Sequence, residues 1–162
     1  MSALPSSSGE TRLLPMLASD ADAIHAIEQR CYTVPWTRGN FIDSIAAGHF
    51  ARVLRDDAGT LLGYCLAMYG VDELHLLNIT VAPEFQGRGH SLVMLDAICA
   101  EGRARGAREL WLEVRVSNER ARKVYADYGL HEVGQRRAYY PQPDGGREDA
   151  VLMSLALQEP EV

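Results

Sequence analysis

The sequence predicts an α/β fold, a mixed sheet of about seven strands with helices on its faces. Three observations lead there. Short runs rich in Val, Ile, Leu and aromatic residues take turns with segments whose apolar residues recur at three and four positions. The stretch "ELWLEVRV" at 109–116 alternates strictly, with Leu110, Leu112, Val114 and Val116 on one face and Trp111, Glu113 and Arg115 on the other. And "TVAPEFQGRGHSLVML" at 80–95 passes from a β-branched run through glycines straight into a helical pattern.

The elements follow in order. Residues 1–10 are rich in Ser, Pro and Gly and are expected to be a disordered leader. "TRLLPM" is a short strand, and "SDADAIHAIEQRCY" a helix capped by Ser19 or Asp20, with Ile24, Ile27 and Cys31 at helical spacing. "TVPW" interrupts, and "TRGNFIDSIAAG" forms a second helix that Gly48 ends. "HFARVLR" and "LLGYCLAMYG" are strands joined by the Asp57-Ala58-Gly59 turn, and "DELHLLNITV" is a longer strand. The next helix presents Leu92, Leu95, Ile98, Cys99 and Gly102 on one side and stops near Gly106. After the alternating strand, "SNERARKVYADYG" is a helix begun by Ser117 or Asn118 and stopped by Gly129, with Ala121, Val124, Tyr125 and Tyr128 inward. "HEVGQRRAYY" and "DAVLMSLAL" close the chain as two strands joined by "PQPDGGRE". A single domain is expected over 11–157, with a short tail at 158–162.

With 162 residues the chain is long enough for one substantial core. Its formal charge of −6 argues against a nucleic-acid binder that relies on bulk electrostatics. Residues 1–87 hold five Lys/Arg against ten Asp/Glu, and the rest hold eleven against twelve. That acidic first half either attracts a basic partner or is a solvated face. Cys31, Cys65 and Cys99 form no C-x-x-C pair, and the five histidines show no ligand spacing, so neither disulfide nor metal is expected. The histidines read as surface or satisfied core residues. No signal-like apolar segment and no long apolar run occurs, which predicts a cytoplasmic protein away from membranes.

A strand that feeds a glycine turn and then a helix leaves amide groups at the helix start without intrahelical acceptors, and this end suits a phosphate or pyrophosphate. "QGRGHS" lacks the Lys of a Walker loop. As a dinucleotide fingerprint it has Leu92 where the last glycine belongs. It does match the acyl-coenzyme A pattern Q/R-x-x-G-x-G/A through Gln86, Gly87, Arg88, Gly89 and His90, with Ser91 in the final small position.

Together with "EQRCYTVPWT", "NITVAPEFQGRG", "LWLEVRVSN", "VYADYGL" and "RRAYYPQPDGGREDAVLM", this loop resembles the GNAT acyl-CoA-dependent N-acetyltransferases over about residues 11–157. The resemblance is nearest to the branch that acetylates the N-terminal alanine of a ribosomal protein. It implies a mostly antiparallel mixed sheet, acetyl-CoA as co-substrate, and direct attack in a ternary complex. It also implies a monomer acting on the N-terminus of small-subunit ribosomal protein number eighteen, whose basic tail would suit the acidic half. Ile79, Thr80 and Val81 would pair through their backbone with the pantetheine arm. Gly87, Arg88, Gly89, His90, Ser91 and Leu92 would hold the pyrophosphate, and Asn118 would lie beside the cofactor. Glu113 would be the general base and Tyr125 the general acid, while Trp36, Tyr139 and Tyr140 would flank the peptide entrance.

Attack by a neutral amine on a thioester needs one group to take a proton and another to supply one. Read without the resemblance, Glu113 is a solvated strand residue that can pair with Arg115 and Tyr125 is a core residue, while Asn118 is as well a helix cap. Trp36, Tyr139 and Tyr140 could be surface packing. Arg103, Arg105 and Arg108 could complement a helix end or meet a coenzyme phosphate. The acceptor could also be a lysine, another N-terminus or a small amine, and a silent acyl-CoA-binding module is the alternative of a different class.

Overall fold

Seven strands and four helices run in the predicted order through residues 10–158, the part of the chain that the structure, a computed structural model, describes. The strands are β1 (Thr11–Pro15), β2 (Phe50–Asp56), β3 (Leu61–Gly70), β4 (Glu73–Val81), β5 (Glu109–Arg115), β6 (His131–Pro141) and β7 (Arg147–Ala156). The helices are α1 (Ala21–Cys31), α2 (Arg38–Ala46), α3 (His90–Ala104) and α4 (Glu119–Tyr128). Apart from Glu10 and Gln158, the expected leader and tail lie outside the described residues. The strands form one mixed sheet in the order β1-β2-β3-β4-β5-β7-β6. β4 and β5 pair parallel, which the crossover through α3 permits, whereas the short connections β2–β3, β3–β4 and β6–β7 make antiparallel neighbours.

The chain divides into two compact units. The first comprises Met1–Leu66 and Asn78–Leu95. Here β1 pairs antiparallel with β2, from Thr11 opposite Asp56 to Pro15 opposite Arg52. Ile24, Phe41, Leu54 and Tyr64 are fully buried, with the Phe41 and Tyr64 rings edge to face at 5.6 Å. α2 begins on a reciprocal cap: Asn40 N–H donates to Thr37 Oγ1 and Thr37 N–H donates to Asn40 Oδ1. The cap expected for α1 is different. Asp20 occupies the position, but its carboxylate accepts from Leu17 N–H and pairs with Arg55 at 2.9 Å. Gly63 has a plain steric reason, since a Cβ there would stand 2.4 Å from the Thr80 carbonyl oxygen.

The second unit comprises Ala67–Leu77 and Asp96–Val162. β5 is paired on both sides, parallel with β4 from Glu73–Glu109 to Leu76–Leu112 and antiparallel with β7 from Glu109–Ala156 to Arg115–Ala150. Leu74, Leu76, Leu110, Leu112, Val151 and Met153 form the buried face. α4 starts on Asn118, whose Oδ1 accepts from Ala121 N–H, and ends at Gly129 with φ 125°. Its expected inward stripe is only half-buried. One helix position is corrected: Leu92 is 47% exposed, and Met94 joins Leu95, Ile98 and Cys99 among the fully buried residues of α3.

Candidate active site

On β5 the strand pleat turns Trp111, Glu113 and Arg115 away from the buried leucines, as their alternation predicts. In the parallel register His75 lies opposite Trp111, and residues in register on neighbouring strands share a face. The two rings therefore stack, centroids 3.7 Å apart and nearly coplanar at 8°. Trp111 Nε1 donates to Glu73 on the same strand as His75, which holds the indole in turn. His75 Nε2 meets Glu113 Oε1 at 2.9 Å, and the glutamate side chain is 6% exposed.

β6 supplies the other flank. Arg136 Nη1 lies 3.3 Å from Glu113 Oε2, close enough to pair as charges, yet that oxygen is buried without a hydrogen bond, as is His75 Nδ1. The Arg136 guanidinium also covers the Tyr139 ring, and Tyr139 meets Tyr140 edge to face at 4.9 Å. Burial first and the Glu113 charge second push both phenols up from their ordinary range. His75 moves the other way: burial lowers its pKa, against the upward pull of Glu113 and Glu73. The imidazole is therefore neutral in neutral solution.

Arg115 does not pair with Glu113. It bonds Glu148 at 3.2 Å and the Pro141 carbonyl at 2.9 Å, with its guanidinium over Tyr140. This tie leaves Glu113 to His75 and Arg136. Tyr139 and Tyr140 lie near the end of β6. The register shift between Arg136 and Tyr140 and the positive φ of Ala138, whose N–H donates to Asp149, set their direction.

The glycine turn belongs to the first unit. Gly87 and Gly89 have φ of 79° and 82°, a region that side chains other than glycine rarely enter, and a Cβ at either would meet nothing within 4 Å. The first helical bonds of α3 run from Leu92 and Val93 N–H to the Gly89 carbonyl, so the amides ahead of Leu92 have no acceptor in that helix. Gln86 Nε2 bonds the Val81 carbonyl at 3.0 Å and ties the turn to β4, and Arg88 covers the Phe85 ring. Amides without helical acceptors at a helix start, beside glycines that leave open space, are the right chemistry for a pyrophosphate. Half-buried His90 and Ser91 and exposed Leu92 follow the turn.

Upstream, Ala82 N–H bonds the Leu62 carbonyl, and the alternation of a strand turns the Ile79 and Val81 backbone to the opposite edge. Thr80 is buried by its side chain. Its hydroxyl donates to Asn78 and meets the Tyr32 hydroxyl at 2.7 Å. Asn78 and Tyr64 both donate to Glu28, a 2% exposed carboxylate whose other oxygen accepts from Trp36 N–H at 3.0 Å. Trp36 is thus fixed through its backbone, with its ring against Phe41.

Glu113 lies close enough to the two tyrosines of β6 for its charge to act on both. Tyr125 stands half-buried on α4, and Asn118 caps that helix. Arg103 bonds the Leu157 carbonyl and Arg105 pairs with Glu101. His75 and Arg136 are the residues that sequence reasoning missed. Only the register of β4 on β5 and of β6 on β7 reveals them, and "DELHLL" carries no sign of it. Among the described residues no group of three or more His, Cys, Asp or Glu could hold a metal ion, and no helix is long and apolar enough to cross a membrane.

The profile of the acetyltransferase (GNAT) family matches residues 21–130. The chain belongs to the GNAT family. This GNAT chain is 34% identical over 142 residues to the ribosomal protein bS18-alanine N-acetyltransferase of Haemophilus ducreyi, covering 88% of this chain and 97% of that one. It is 35% identical over 139 residues to the enzyme of the same name from Escherichia coli K12, covering 86% and 93%. The crystal structure of the ribosomal-protein-S18-alanine N-acetyltransferase from Escherichia coli superposes with a TM-score of 0.83 at 32% identity, over 94% of this chain and 97% of the other. The fold is therefore the GNAT fold, the chain is an acetyltransferase, and membership implies acetyl-CoA as co-substrate.

Proposed function

We propose that this GNAT enzyme acetylates the N-terminal α-amine of a ribosomal protein, with the alanine end of the bS18 protein as the favoured acceptor, in the cytoplasm. The observation that carries the reading is Glu113: a carboxylate 6% exposed, with one oxygen held by His75 and the other buried without a hydrogen bond. A carboxylate so placed can take a proton from an amine that is already partly neutral. A free α-amine has a pKa of about 7.7–8.0, against about 10.4 for lysine, so it asks less of a carboxylate base. The relatives named for bS18 alanine support the choice of acceptor.

Bound acetyl-CoA supplies the activated acetyl group as a thioester. The amides around Gly87–Leu92 are assigned its pyrophosphate, and the strand edge at Ile79 and Val81 its pantetheine arm, with Thr80 between them and Asn118 close by. Glu113 Oε2 accepts a proton from the acceptor amine as the new C–N bond forms. Tyr125 supplies a proton to the sulfur as the C–S bond breaks. Trp36, Tyr139 and Tyr140 flank the entering peptide.

Mass spectrometry of peptides incubated with acetyl-CoA tests the reading. An alanine-initiated bS18 peptide should gain 42 Da (about one acetyl group) at its α-amine, while an N-terminally blocked peptide bearing an internal lysine stays unmodified. Glu113→Gln and Tyr125→Phe should fold normally and lose about 100-fold or more in kcat, the scale of a lost general base or acid. Wild-type kcat in Glu113→Gln, or preference for the lysine peptide, would refute the assignment.

A further inference from the structure

We propose that His75 is a positioning residue for the Glu113 carboxylate: its Nε2–H holds Oε1, fixes the plane of the carboxyl group and leaves Oε2 as the oxygen presented to the acceptor amine. The inference rests on the reading of Glu113 as the base. The geometry is over-determined. The imidazole lies flat on Trp111 at 3.7 Å, and Trp111 is itself tied to Glu73, so the ring has little freedom to turn away. A carboxylate can only accept, so the 2.9 Å contact requires the proton on Nε2. The other ring nitrogen agrees. Nδ1 is buried without a partner, and a bare lone pair there costs less than a stranded N–H.

The groups that face the imidazole are Trp111 and Glu113 from β5, Glu73 from β4 and Arg136 from β6. Their combined effect, with burial foremost, keeps the ring neutral. A neutral donor orients the carboxylate without cancelling its charge, whereas an imidazolium in the same place would weaken it as a base. Arg136 stands on the Oε2 side with its guanidinium half-exposed and out of line for a hydrogen bond, so the two flanks are unequal. One oxygen is hydrogen-bonded to His75, and the other lies buried beside Arg136 and Tyr139, the side from which an acceptor amine would have to approach.

Three variants and one spectrum test this. His75→Phe keeps the aromatic stack and removes the donor; His75→Gln keeps a donor and removes the stack. With positioning, His75→Phe loses about 10–100-fold in kcat, the worth of a hydrogen bond to a charged group, with KM for acetyl-CoA and peptide unchanged. His75→Gln recovers most of that loss, and the double variant Glu113→Gln/His75→Phe is no slower than Glu113→Gln alone. In the wild-type protein, nitrogen NMR of the histidine rings at neutral pH shows His75 neutral with its proton on Nε2, a measurement that needs no variant to fold. Wild-type kcat in His75→Phe, no recovery in His75→Gln, a further loss in the double variant, or a proton on Nδ1 would each overturn the proposal. If Glu113→Gln is slow and His75→Phe is not, positioning alone falls; if Glu113→Gln is as fast as wild type, the base assignment falls and takes positioning with it.

Discussion

The half-buried imidazole of His75 gives this protein an acid sensitivity of known sign. Because burial depresses the pKa of His75, the unfolded chain binds more protons than the folded one between the two values, and stability rises with pH across that window. The contribution is complete above about 6.5, the value of an unperturbed histidine, and fades as pH falls through the folded value. The midpoint of urea unfolding for wild type, relative to His75→Gln, should therefore drop as the pH is lowered from 7 to 5 (about two units spanning that window); a constant difference would contradict it. At this scale the sequence was half legible. The alternation of "ELWLEVRV" is enough to expose Glu113, because the period of a strand is local. His75 and Arg136 were invisible because their partner lies 38 and 23 positions away, and no local pattern encodes a register between strands.

The elements were legible almost throughout, since turns, caps and periodicity are written in neighbouring residues. Gly48, Gly59, Gly106 and Gly129, which end helices or turn hairpins, all have positive φ. The misreadings were of side chains with a choice of partner. Asp20 left its helix for Arg55, and Leu92 lies outside the stripe that Met94 completes. Gly63 was silent in the sequence, although it carries the sharpest steric demand in β3. Gly63→Ala places a methyl group 2.4 Å from the Thr80 carbonyl, 3.2 Å from Met94 and against Val81. Overpacking of this kind should cost about 1–3 kcal/mol. Chemical denaturation of Gly63→Ala measures it, and a variant as stable as wild type would mean that β3 can shift without penalty.

Charge acts on the molecule as a whole. Residues 1–87 carry twice as many acidic as basic side chains, ten against five, within a net charge of −6. A basic acceptor peptide should be drawn in by that field, and salt at about 0.5 M, which shortens the Debye length to a few ångströms, should raise its KM several-fold while sparing a neutral peptide. Equal salt response of the two peptides would remove the acidic half from recognition. The mixed sheet was legible from the order of elements, but the place of the final strand was not, because adjacency in a sheet is settled by whole-strand pairing. β7 inserts between β5 and β6, so the strand bearing Arg136, Tyr139 and Tyr140 has no described neighbour but the last one made. During synthesis the carboxylate and its imidazole are already translated when β6 emerges, yet β6 has no described strand to pair with until β7 has followed it. A chain that stops before β7 thus lacks the strand that sets Arg136 beside Glu113.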